Sequence, residues 1–301
     1  MGGRLRIALL AVSAAGLLAV PAARADSLLV PNLNWTGLLP ALNSPTQPQP
    51  GPVPNCKRPS IACVDFEIRR LSVLRDRLGC DHRAVFATTY LELTKALRKA
   101  LKDSPGLIAD KSYFYTEDAQ FANIYFDTFA AYDKGRRVAP AWRVAFDAAT
   151  RPGITATQDM LLGINAHVQN DMPFLLAGLG LRTPDGASRK PDHDAENEVL
   201  NRAYAAVVEA VRSRYDPILG VSNPALLPTD DIAGLEMVRG WREGVWRNAE
   251  RLLNAHDKAQ RRNVTRQIHA NAAAWAAVIA TPPVPGWTPV RDSYCATHHG
   301  G

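Results

Sequence analysis

The stretch Leu161-Leu162-Gly163-Ile164-Asn165-Ala166-His167-Val168-Gln169-Asn170-Asp171-Met172-Pro173-Phe174-Leu175-Leu176 decides how the chain is read. Wound as a helix it is apolar on almost every side, as a helix in the middle of a bundle is. It also carries Asn165, His167, Asn170 and Asp171, and polar groups in a dry interior must be paired or hydrated. His167 and Asp171 are four apart and point the same way. Pro173 lacks the amide that would bond the Gln169 carbonyl, which predicts a kink beside that pair.

The helical pattern extends outward from this element. Apolar residues recur at spacings of three and four in one segment after another. They predict helices over Cys63–Leu78, from a cap at Asp81 to about Leu101, and from a cap at Thr116 to Lys134-Gly135. Further helices are expected over about 140–149, through the central stretch opened by Thr155 or Thr157, and from a cap at Asp192 or Asp194 through Tyr215. The last pair spans about 231–256 and 262–280. No β-type alternation is sustained, so the fold class is all-α: one helical bundle of roughly eight helices over residues 61–281. Residues 26–60, with five closely set prolines between Pro45 and Pro54, form an extended or disordered lead-in. Residues 180–192 and 217–228 are loops, and 282–301 is a C-terminal tail.

Residues 1–25 have the layout of an export signal. Arg4 and Arg6 precede an apolar run from Ile7 to Val20, and Ala23-Arg24-Ala25 is a small-x-small cleavage site that predicts a mature start at Asp26. The run is short for a membrane span and nothing later reaches that length, so no transmembrane anchor is expected and the chain is read as secreted or periplasmic. Removing the leader takes away three arginines and no acid, lowering the net charge from +6 to +3. A mildly basic domain without a basic-aromatic stripe gives no reason to expect a nucleic-acid partner. The four cysteines, Cys56, Cys63, Cys80 and Cys295, read as two disulfides in an exported chain, with three connectivities open. The preferred pairing is Cys56–Cys63 as a local clip and Cys80–Cys295 as a long staple.

Imidazole and carboxylate one helical turn apart suit either a divalent metal such as zinc or a base oriented by an acid. His167 and Asp171 are therefore the candidate catalytic pair, with Asn165 beside them. His82 falls on the apolar face of its helix with Phe86, Thr89 and Leu93. His193, Glu196 and Asn197 extend the buried face of Leu200, Tyr204 and Val207. His82, His193 and Asn197 are thus supporting candidates, and His82 with His167 and Asp171 is the candidate metal set. The competing reading of His167 and Asp171 is a buried polar network that fixes packing. For His82 and His193 it is a helix-end position facing solvent. Nucleophile-elbow, phosphate-loop and dinucleotide motifs are absent.

The segments Gly79-Cys80-Asp81-His82-Arg83-Ala84-Val85-Phe86 and Gly163-Ile164-Asn165-Ala166-His167, with Asp171 and Pro173 following, resemble the signatures of a domain-of-unknown-function family of helical, mostly actinobacterial proteins. The resemblance covers about residues 60–280 and implies a helical fold and an actinobacterial source, with no assigned activity. A second likeness is to the zinc-dependent phospholipase C and single-strand nuclease group, whose exported helical members hold metals on a His-x-x-x-Asp helix. This chain departs from that pattern: Phe174-Leu175-Leu176 follow Pro173 where the group has a further histidine, and the mature start is Asp26, not a tryptophan. Three functions remain in view: a hydrolase-like enzyme using a His–Asp or metal site, a binding module for an apolar, small-molecule or cell-envelope ligand, and a structural polar network.

Overall fold

The computed structural model describes residues 53–151, 153–217, 219, 229–281 and 287–299, together with Leu42, Gln47, Pro48 and Gly51. The export signal and its cleavage site, most of the proline-rich lead-in, most of the 217–228 loop and Pro282-Pro283 lie outside the described residues. The described chain is an all-helical bundle, with isolated bridges at Val53–Cys56 and Arg182–Ser188 in place of any strand.

In chain order the helices are α1 (Ile61–Leu78), α2 (Arg83–Asp103), α3 (Lys111–Asp133) and α4 (Pro140–Ala148). The central helix α5 is built from Ala156–Ile164, a π-helical segment Asn165–Asp171, and Met172–Leu179. Then follow α6 (Lys190–Arg214), α7 (Thr229–Leu253), α8 (Lys258–Ile279) and α9 (Trp287–His299). α5 packs against α2, α3, α4, α7 and α8, so its apolar character on every side has a direct cause in its position. Leu162 and Ala166 enter one core cluster with Leu71, Phe86, Tyr125 and Trp142, while Met172 and Leu176 enter another with Val245, Trp246 and Ile268.

Local chemistry explains where the helices begin. Thr155 opens α5 with a reciprocal box: its hydroxyl accepts from the Gln158 amide and the Gln158 side chain accepts from the Thr155 amide. Asp81 accepts from the Arg83 amide at 2.8 Å, as expected for α2. Two expected caps are wrong. α3 begins five residues before Thr116, at Lys111, because Asp110 accepts from the Tyr113 amide; the Thr116 hydroxyl donates back to the Ser112 carbonyl. α6 begins at Lys190. Asp192 reaches across to the amides of Ala109 and Asp110, and Asp194 pairs with Lys190, so neither acid caps.

The kink expected at Pro173 takes the form of the wider π-turn, in which the Met172 amide reaches back to the His167 carbonyl. The expected tail also requires correction, since residues 287–299 form α9. Cys80–Cys295 bonds this helix to the turn before α2, and Arg291, 1% exposed, donates to the Cys80 carbonyl. The other disulfide is Cys56–Cys63, so both preferred pairings stand.

Gly163 is where the two signature segments touch. A Cβ there would lie 2.2 Å from the Phe86 ring carbons Cγ and Cδ2. Alanine would gain about 1 kcal/mol of helix propensity, but so close an approach would force Phe86 away at a cost in the upper part of the overpacking range, about 2–3 kcal/mol. Gly163→Ala is therefore expected to destabilise the fold by about 1–2 kcal/mol in urea denaturation. An unchanged or raised midpoint would show that helices α2 and α5 do not meet this closely.

Candidate functional site

The π-segment packs its polar side chains inward. Asn165 is fully buried; its side-chain amide donates to the Ala272 carbonyl and its Oδ1 accepts from Gln169. Asn271 closes the chain on Gln169, and His269 Nδ1 meets Asn170 Oδ1 at 2.7 Å. Asp171 collects three donors: the Trp142 indole N–H at 2.8 Å, the Asn170 amide at 2.7 Å and His167 Nδ1 at 3.1 Å. These bonds tie α4 and α8 to α5.

His167, 2% exposed, lies in an aromatic box. Its ring stacks on Phe121 at 3.5 Å and 2°, with Phe86, Tyr90, Tyr125 and Trp142 at 5.0–6.0 Å around it. Burial holds its pKa below the ordinary value, outweighing the opposing pull of Asp171, so the ring is neutral. With Nδ1–H donating to Asp171, Nε2 is the bare nitrogen, and it has no hydrogen-bond partner. The buried hydroxyls of Tyr90 and Tyr125 are likewise without partners.

His82 forms a second pair of the same design. Its Nδ1 is 2.7 Å from Asp159 Oδ2, and its Nε2 is 3.1 Å from the exposed Asp292 on α9. Burial works against its charge, but the bond and charge of Asp159 prevail and raise its pKa. His82, Phe86, Tyr125, Trp142, Asp159 and Gly163 line a cavity of about 20 Å³, room for about one water. The expected metal set of His82, His167 and Asp171 does not assemble. His82 precedes Phe86 by one turn, and it is Phe86 and Tyr90 that α2 presents to His167; both ring nitrogens of His82 are taken by other carboxylates.

His193 is buried, not at the solvent edge. Its Nε2 meets the Arg242 carbonyl at 3.2 Å and its Nδ1 faces Arg242 Nη2 at 3.3 Å. Arg242 also bonds Asn197 Oδ1 through Nε at 2.9 Å and Glu196 Oε2 at 2.8 Å. Thus His193 and Asn197 do act together, but around Arg242, apart from the His167–Asp171 pair. Four residues with prominent interior roles were not singled out from the sequence: Glu67, Glu117, Asp118 and Arg242. The signal was available. Glu117 lies one turn before Phe121 and Glu67 one turn before Leu71, each on the buried face of its helix.

Burial raises the carboxyls of this interior strip. Glu67 is pushed up to about 7 despite Arg70, and Asp118 to about 8, with the charge of Glu67 adding to burial. The Asp118 Oδ2 atom has no partner. Over residues 64–282 the chain matches a family of unknown function, DUF5995, and it belongs to that family. No curated protein and no solved structure matches it.

The raised carboxyl of Glu67 makes the fold pH-sensitive in a stated direction. Its folded pKa lies above the ordinary 4.5, so its stabilising share is complete below that value and is lost as pH rises through about 7. Glu67→Gln is expected to remove this loss: between pH 4.5 and pH 8 its melting temperature should fall several degrees less than that of the natural chain. Parallel melting curves across that window would mean that Glu67 is ionised throughout.

Proposed function

We propose that the protein is an exported helical domain with hydrolase-like acid–base chemistry at two His–Asp pairs, His82–Asp159 and His167–Asp171. One observation carries this reading. Each imidazole is held through Nδ1 by a buried carboxylate, at 2.7 and 3.1 Å, which leaves Nε2 to move protons: unpartnered on His167, and on His82 shared only with the exposed Asp292. In this scheme Asp159 and Asp171 orient the two rings. His82, at the mouth of the cavity, exchanges protons with solvent, and His167 acts as the interior base. Asn165 anchors the π-segment to α8. A π-turn at such a pair is itself a common mark of functional helices. Export is supported by the leader-like residues 1–25 and by two disulfides, bonds that persist in oxidising compartments.

A second reading is favoured by the cavity volume, about 20 Å³. An organic substrate needs several hundred cubic ångströms, so the helices must part before one reaches His167. In this reading the pairs are a structural network that fixes how α2, α4 and α5 pack. The same closed interior disfavours a roomy pocket for an apolar or cell-envelope ligand.

Activity screening separates the readings. The mature chain is assayed against chromogenic carboxylic esters, phosphomonoesters and phosphodiesters, with melting temperature followed in parallel. The acid–base reading expects turnover that drops by about 100-fold or more in His167→Gln and in His82→Gln, while the exposed His256→Gln leaves it unchanged. Failure of all three substrate classes, with His167→Gln lowering the melting temperature, would establish the structural reading instead.

A further inference from the structure

Helices α3 and α6 bring two carboxylates and an imidazole to one point in the interior, distinct from both His–Asp pairs. One donor atom from each of Glu117, His193 and Glu196 lies within 4.8 Å of the other two. We propose that these three side chains bind a divalent transition-metal cation of the zinc or manganese type.

The donor set suits such an ion. One imidazole nitrogen and two carboxylate oxygens, without thiolate, are ligands for zinc or manganese. With bonds near 2.1 Å, ligand atoms in a tetrahedral shell stand about 3.4 Å apart. An adjustment of about an ångström in long Glu side chains therefore closes the site. The imidazole is already prepared: Nε2–H donates to the Arg242 carbonyl at 3.2 Å, which fixes the tautomer and leaves Nδ1 without a proton, beside the Arg242 Nη2 that also contacts Glu196. Closure of the interior is no obstacle, since an ion needs no groove.

Glu117 gives the independent indication of a ligand. It is only 6% exposed, and among the described residues no hydrogen bond reaches it; the guanidinium groups of Arg242 and Arg189 act on it only through their charge. The Oε1 atom of Glu196 is buried and unpartnered. A carboxyl group taken out of water with no partner is costly, and a cation shared with Glu196 removes that cost. Arg242 is the cation now in contact with the cluster. Its Nη2 is 2.8 Å from Glu196 Oε2 and 3.3 Å from His193 Nδ1 and also bonds the His193 carbonyl, so one NH2 group with two hydrogens serves three acceptors and gives no hydrogen bond to Glu117. Metal entry moves Nη2 off Glu196 and His193 while Nε keeps its bond to Asn197.

Untagged mature chain stripped with EDTA is titrated with zinc chloride and with manganese chloride, followed by calorimetry and by thermal unfolding. One equivalent of at least one of the two metals is expected per chain, with a rise in melting temperature that grows with metal concentration. Glu117→Gln keeps the shape of a side chain that burial already drives toward neutrality. It should melt as the natural chain does in EDTA but bind about tenfold or more weakly. Glu117→Asp, one methylene shorter, is the second variant and should also bind more weakly. His298→Ala, in the exposed end of α9, should bind normally. Absence of binding by both metals, undiminished binding by both Glu117 variants, or loss of the equivalent in His298→Ala would each overturn the site. Because the readout is metal stoichiometry and none of these residues belongs to the His–Asp pairs, the result stands apart from the fate of the acid–base reading.

Discussion

A carboxylate in the middle of a helical bundle is the constraint that organises this protein. Asp171 is buried among apolar side chains, where leaving a charge unmet costs several kcal/mol. The fold meets it with three donors drawn from two helices: Trp142 from α4, and Asn170 and His167 from α5 itself. Each donor imposes a position on what surrounds it. Trp142 must bring α4 alongside α5, and it then stacks on Phe146 and Tyr125. Asn170 is held in turn by His269, which fixes the register of α8. The π-turn widens the backbone over these residues, so that His167 and Asp171 remain in contact while Pro173 starts the next α-helical turn.

The architecture is legible in the sequence wherever apolar periodicity and local capping agree. Thr155 and Gln158 show this, because both halves of the box are within three residues. The failures arise where tertiary structure outbids local propensity. Asp192 is an adequate N-cap residue, yet the amides of Ala109 and Asp110 across the gap take both of its oxygens. Residues 287–299 are few and directly follow Pro282, Pro283 and Pro285, and α9 is held by partners far away in sequence: Cys80 through the disulfide, and the Ser213 carbonyl, which accepts from Tyr294. A window of a dozen residues contains none of that information.

The candidate site is legible to a lesser degree, for a geometric reason. A spacing of four identifies residues that share a face, so His167 with Asp171 and His193 with Asn197 emerge from the sequence as pairs. Whether faces on different helices converge depends on which side chains lie between them. Phe86 lies one turn after His82 and fills the space next to His167. Arg242, more than forty residues from His193 in the chain, gathers the His193–Asn197 turn around itself. Long-range convergence of this kind is a property of the packed bundle.

Two physical effects pull against one another in the interior, and their balance limits what the protein can bind. Packing closes it: the cavity beside His82 is about 20 Å³, near the minimum that admits a water. Polarity opens it, because His167 Nε2, Asp118 Oδ2, Glu196 Oε1 and the Tyr90 and Tyr125 hydroxyls are buried without partners, each at a cost of about 1–3 kcal/mol. A bundle stabilised by 5–15 kcal/mol overall has little reason to keep five such atoms in neighbouring helices unless something small and polar engages them. The volume excludes a bulky occupant in the closed form, and the donor chemistry selects protons, water and cations. On these grounds the space beside His82 is of a size and polarity that suits water or an ion better than an organic molecule, and it lies one side chain away from the exposed Asp292.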